Sequence, residues 1–116
     1  MFLVSTGLKV YLALGYTDMR KSVNGLSMYI AEECSQDPLS GHLFVFCNRR
    51  RTIMKILYWD HNGFCIWYKR LERDRYRWPE DESKLHEIGQ RELQWMLSGL
   101  AIDQPGAYEE LHYQEV

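Results

Sequence analysis

The feature that most constrains this chain is the run Asp60-His61-Asn62-Gly63. Asn and Gly accept the positive φ angles of a tight hairpin turn, and the flanks, Ile53 to Asp60 and Phe64 to Leu71, are rich in Ile, Phe, Tyr and Trp. Two long antiparallel strands are therefore predicted. A two-residue turn at Asn62-Gly63 sets Lys55 opposite Arg70; a three-residue turn beginning at His61 sets it opposite Lys69. Either way like charges face each other, at a cost of a few tenths to about 1 kcal/mol unless something negative fills the gap. Glu72 or Asp74 could do this internally, and a nucleic acid backbone could do it from outside.

The rest of the chain supplies elements to pack around that hairpin. Leu8 to Leu14 is almost continuously apolar and is ended by Gly15, and His42 to Cys47 is a further short apolar run, so both read as strands. Between them Thr17 is placed to cap a helix, with Asp18 in its first turn and Met19, Val23, Leu26, Ile30 and Cys34 along one face. Arg75 to Trp78 is a short extended piece stopped by Pro79, and Glu80-Asp81-Glu82 is a loop. Ile88, Leu93, Trp95, Met96, Leu97 and Leu100 predict an amphipathic helix from about Gln90 to Ser98, with Gly99 as its stop. The expected class is α+β: a mostly antiparallel sheet of about five strands, one helix after the first strand and one near the C-terminus. With 116 residues there is room for one domain, expected over 1–104, followed by an acidic, frayed tail over 105–116.

Net charge is only -2, but it is distributed unevenly. Residues 49–77 hold nine Lys and Arg against three carboxylates, whereas residues 80–116 hold two against nine. The middle therefore calls for a polyanion, and the acidic end for solvation or self-masking. Met1 to Leu14 is interrupted by Ser5, Thr6, Gly7 and Lys9 and has no small-residue cleavage site, so no signal peptide is expected. No run approaches the roughly 18 apolar residues of a membrane helix, and three widely spaced cysteines do not form a disulfide framework. A cytoplasmic protein with Cys34, Cys47 and Cys65 as buried thiols is the expectation.

Four groups of cations are candidates for nucleic-acid contacts. Arg49, Arg50 and Arg51 crowd one inter-strand loop, where an anion such as phosphate would relieve their repulsion; a solvated turn that keeps a sheet edge from pairing also accounts for them. Lys55, Lys69 and Arg70 lie on the hairpin. Arg73, Arg75 and Arg77, spaced two apart, would extend its charged row if their segment were a strand. Arg20 and Lys21 fall in the first turn of the predicted helix, where free amides attract anions; both pointing into water beside Asp18 is the alternative. Tyr58, Trp59, Trp67, Tyr68, Tyr76 and Trp78 interleave with these cations, as base stacking requires, although a domain this small needs most such rings in its core. No catalytic residue, cofactor or metal is expected. His61-x-x-x-Cys65 with Cys47 lacks a paired-cysteine motif, and Asp60, Glu72 and Asp74, the set a metal-dependent nuclease would use, each have turn or solubility roles.

These residues also carry a resemblance. Val10-Tyr11-Leu12-Ala13 with Gly15, Thr17 to Ser22 with Asn24-Gly25-Leu26, Gly41 to Phe46 followed by Asn48-Arg49-Arg50-Arg51, Lys55 to Asp60, Gly63 to Glu72 and Trp78-Pro79 resemble the small TnpB or Orf2-like accessory protein of insertion sequence sixty-six transposons. The similarity covers about residues 8–102. It implies a role in DNA transposition beside a separate, larger transposase that supplies the catalytic acidic residues, with DNA, the transposase and another accessory protein as partners and no membrane. It carries over no active site. Cys47 stands where relatives often have a polar or basic residue, and Gly89 where a Ser or Thr cap is common.

Overall fold

A computed structural model describes residues 7–100. The expected tail over 105–116 lies outside the described residues. Five strands form one sheet: β1 (Val10–Ala13), β2 (Leu43–Cys47), β3 (Ile53–Asp60), β4 (Gly63–Arg70) and β5 (Leu85–Ile88), in the order β4-β3-β2-β1-β5. Helix α1 (Val23–Glu32) carries the chain from β1 to a parallel β2, and every other pairing is antiparallel. Helix α2 (Gln90–Leu97) follows β5. The expected α+β class, with its mostly antiparallel sheet and two helices, is the architecture found.

The helices cover opposite faces, which explains the apolar run in β2. Leu43, Val45 and Cys47 join a core with Val10, Leu12, Met54, Ile56, Ile88 and the α2 residues Leu93, Met96 and Leu97. Phe44 and Phe46 point the other way, against Leu26 and Ile30 of α1, Ala13 and Leu57. A strand buried on both sides reads as continuous hydrophobicity rather than alternation. Each of these fully buried aliphatic or aromatic side chains contributes about 1.5–3 kcal/mol. α2 stops as its sequence dictates. Gly99 adopts φ +82°, its N–H donates to Met96 and that of Leu100 to Trp95, satisfying the last carbonyls. At the other end, Gly89 N–H donates to Glu92 Oε1 at 2.8 Å, and a Cβ on Gly89 would sit 2.8 Å from that oxygen. A Ser or Thr cap there would displace the glutamate.

Four expectations need correction. The fifth strand is Leu85–Ile88, which the sequence does not single out, and the extended piece Arg75 to Trp78 joins no strand. The edge of β1 away from β2 needs a partner and takes β5, while Tyr76 and Trp78 pack over the α2 face, with Tyr76 N–H donating to Arg51 O and Trp78 Nε1 to Ala13 O. The hairpin turn is His61-Asn62, with Asp60 paired to Gly63 and His61 at φ +55°. That register sets Lys55 opposite Tyr68, Met54 opposite Lys69 and Ile53 opposite Arg70, so the facing like charges do not occur. α1 starts at Val23 rather than near Thr17: Thr17 N–H is held by Cys47 O at 2.8 Å, and Asp18 Oδ1 accepts from Arg20 N–H in a local turn. Arg20 and Lys21 therefore precede the helix. Finally, only Cys47 is fully buried; Cys34 and Cys65 are half-buried, and all three are free thiols.

Candidate nucleic-acid interface

Strand direction alone gathers most of the candidate cations. The last residue of β1 pairs with the first of β5, the last of β2 with Met54 near the start of β3, and the start of β3 with the last of β4. The segments 14–22, 48–52 and 71–84 thus leave the same end of the sheet. They carry Arg20, Lys21, Arg49, Arg50, Arg51, Arg73, Arg75 and Arg77, with Arg70 at the adjoining tip of β4. The same segments hold Lys84 and the carboxylates Asp18, Glu72, Asp74, Glu80, Asp81 and Glu82, so residues far apart in the chain become one end with a modest excess of positive charge.

The arginine loop is built on Asn48. Its Oδ1 accepts from the N–H groups of Thr52 and Ile53, each at 2.9 Å, and Arg51 closes the turn at φ +62° with its N–H donating to Asn48 O. This places Arg49 and Arg50 at the exposed apex and turns Arg51 inward. Arg51 Nη1 donates to Gly15 O at 2.6 Å, and its guanidinium lies 5.6 Å from the Trp78 ring centre. The triplet is therefore divided: Arg51 ties three chain segments together, and its two neighbours face solvent.

Two of the hairpin cations are also structural. Lys55 Nζ donates to Met19 O at 2.7 Å, pinning the segment before α1, and Lys69 Nζ donates to Leu97 O at 2.8 Å, where the carbonyl end of α2 favours a cation. Arg70 pairs with Glu72 at 2.9 Å. Arg20 grips Asp18 through both carboxylate oxygens, and this hydrogen bonding lowers the Asp18 pKa to about 2. Lys21 sits 5.4 Å over the Tyr29 ring. Arg50, Arg73, Arg75 and Arg77 are exposed with no ion pair or hydrogen bond to their side chains among the described residues. Arg73, Arg75 and Arg77 do not form a strand row: their segment belongs to no strand, and Asp74 turns the chain at φ +64°. Burial pushes the Tyr76 phenol up to about 12 and the Cys47 thiol up to about 11.

Most of the interleaved aromatics serve the core. Tyr76 is buried, and Tyr58, Trp67 and Trp78 pack against the same cluster, while Tyr68 is 51% exposed. The exposed ring beside the cations is one that sequence reasoning passed over. Tyr16 is 62% exposed, with Arg49 Cζ 5.5 Å from its ring centre. Its signal was a large aromatic placed just after the strand-ending Gly15. Tyr16, Thr17, Asp18, Met19, Arg20, Asn48, Arg49, Arg50 and Ile53 line an open groove of about 410 Å³, which brings Arg20 beside Arg49 and Arg50, members of two cation groups that the sequence presents separately.

The residues that the sequence offers for metal or nuclease chemistry are not brought together. No cluster of three or more His, Cys, Asp or Glu suited to a metal occurs among the described residues. Cys47 ends β2 at the basic end, whereas His61 is in the hairpin turn at the opposite end. Asp60 is likewise separated from Glu72 and Asp74 by the length of β3, about 24 Å for eight residues. No helix among the described residues is long and apolar enough to cross a membrane.

The model of the family described as IS66 Orf2 like protein matches residues 8–107. The chain belongs to this family. It is accordingly a transposition-associated accessory protein of an insertion sequence. It is 37% identical over 92 residues to "Uncharacterized protein y4hO" of Sinorhizobium fredii, covering 79% of this chain and 80% of that one. To "Uncharacterized protein y4jC" of the same organism it is 28% identical over 96 residues, covering 83% and 82%. No solved structure matches.

Proposed function

We propose that this protein binds DNA during transposition through the basic end of its sheet, as a non-catalytic accessory to a separate transposase. The observation that carries the reading is the convergence of the 14–22, 48–52 and 71–84 segments, where Lys21, Arg49, Arg50, Arg73, Arg75 and Arg77 have no carboxylate partner among the described residues. Lys21, Arg49, Arg50, Arg73, Arg75 and Arg77 are the expected phosphate contacts. Arg20 and Arg70 sit beside them, already neutralised by Asp18 and Glu72. Arg51, Lys55 and Lys69 hold the surface in shape instead. Phosphate contacts orient a protein on DNA without reading its sequence, so the preference for one base sequence over another should be weak.

Binding of a fluorescent duplex by the full chain, measured across salt concentrations, tests this. Six phosphate contacts give a log–log salt slope of about -5, with transposon ends and random duplex bound comparably. Absence of binding at low salt, or an affinity indifferent to salt, would refute it.

A second reading, a module that recruits the transposase, is favoured by the edge strand β4, which exposes Ile66 and Tyr68 on one face. Capture of the transposase that survives Arg49→Ala/Arg50→Ala but is lost in Ile66→Asp would support it. The reverse pattern would count against it.

A further inference from the structure

We propose that the groove between Tyr16 and the Arg49-Arg50 apex binds an unpaired DNA nucleotide, its base stacked on the Tyr16 ring and its phosphate held by the surrounding guanidinium groups. This rests on the DNA-binding reading and adds the form of DNA recognised.

The groove has the parts such a ligand needs. Arg49 Cζ lies 5.5 Å from the centre of the 62% exposed Tyr16 ring, so a base entering the groove takes the place of this solvent-facing guanidinium over the ring. Met19 and Ile53 line the groove and are half-buried apolar side chains suited to the flat surface of a base. Arg49 and Arg50 line it with positive charge, and Arg50 has no partner among the described residues. Asp18, kept ionised by Arg20, offers an acceptor to an exocyclic amino group. At about 410 Å³ the groove falls within the ~300–1,000 Å³ of small-ligand sites.

Both walls are fixed before any ligand arrives. Thr17 N–H is tied to Cys47 O, Met19 O to Lys55 Nζ, and the arginine turn to Asn48. In a duplex the base faces are stacked and hidden, so this groove can grip a duplex only by its phosphates. A nucleotide in a single strand or at a frayed end can enter it.

Fluorescence anisotropy with the full chain separates the contributions, using a single strand, a blunt duplex of the same length and a single strand with abasic sites. Tyr16→Ala should weaken single-strand binding about tenfold and leave the blunt duplex unchanged, whereas Tyr16→Phe, which keeps the ring, binds as the unmodified protein does. The abasic strand should bind the unmodified protein as weakly as the normal strand binds Tyr16→Ala, a comparison that needs no substitution. Equal loss on strand and duplex, no loss at all, or an abasic strand bound as well as a normal one would overturn the inference. Tighter binding of single-stranded RNA of the same sequence would overturn DNA as the occupant. If the duplex is bound with a steep salt slope while Tyr16→Ala is silent, only this inference fails; if no DNA is bound at low salt, the DNA-binding reading fails with it.

Discussion

Arg49 and Arg51 are two residues apart and chemically identical, yet their surroundings assign them opposite roles, which substitution can separate. Arg51→Ala removes the bond from Nη1 to Gly15 O and the guanidinium over Trp78. A hydrogen bond from a charged donor contributes about 1.5–3 kcal/mol, and an exposed cation–ring contact about 0.5–1 kcal/mol. Arg51 is only half-buried, so the low end applies and the loss is about 2 kcal/mol. For a domain of this size that lowers Tm by about 8 °C. Arg51→Gly loses the same contacts but relieves the backbone at φ +62°, which recovers about 0.5–1 kcal/mol after allowing for glycine's freedom in the unfolded chain. The order of melting by circular dichroism should therefore be unmodified protein, then Arg51→Gly, then Arg51→Ala. Arg49→Ala and Arg50→Ala should stay within about 0.5 kcal/mol of the unmodified protein. An Arg51→Ala protein that melts normally, or a Gly variant less stable than the Ala variant, would refute the division of the triplet.

Three further outcomes are expected. Lys69→Met should cost about 1 kcal/mol by uncapping the carbonyl end of α2 while leaving the DNA salt slope unchanged, whereas Arg75→Ala should lower that slope by about 0.9 and leave Tm unchanged. The Arg20 guanidinium lowers the Asp18 pKa from 3.8 to about 2, and a depressed carboxylate stabilises the fold above its ordinary pKa and ceases to as pH falls through the folded value. The stability difference between the unmodified protein and Asp18→Asn should thus shrink from pH 3.8 toward about 2, and a difference independent of pH would contradict the pairing. With its thiol pushed up to about 11 by burial, Cys47 should label with a thiol reagent only on unfolding, so mass spectrometry of natively labelled protein should find Cys47 unmodified.

The hairpin, the helix stripe Val23-Leu26-Ile30 and the Gly99 stop were all legible, because each is a local pattern whose period or conformational demand is written in adjacent residues. Boundaries were less so. The start of α1 depended on Thr17 being drawn to Cys47 O, a contact thirty residues away in sequence, and the hairpin register on which of two adjacent turns closed. β5 was missed because Leu85–Ile88 has a weak pattern of its own and becomes a strand through the unpaired edge of β1.

For the candidate site the division is similar. The sequence by itself determined the charge asymmetry, the abundance of aromatic residues and the family, since these need only composition and residue order. Which cations face outward was decided by the tertiary structure alone. Lys55 and Lys69 are used up on carbonyl oxygens of distant segments, Arg51 is turned inward by a single positive φ, and Arg20 is brought beside Arg49 and Arg50 because parallel β1 and β2 end on the same side of the sheet. A charge is visible in sequence; whether it is free to meet a ligand depends on long-range hydrogen bonds that form only when the chain has folded.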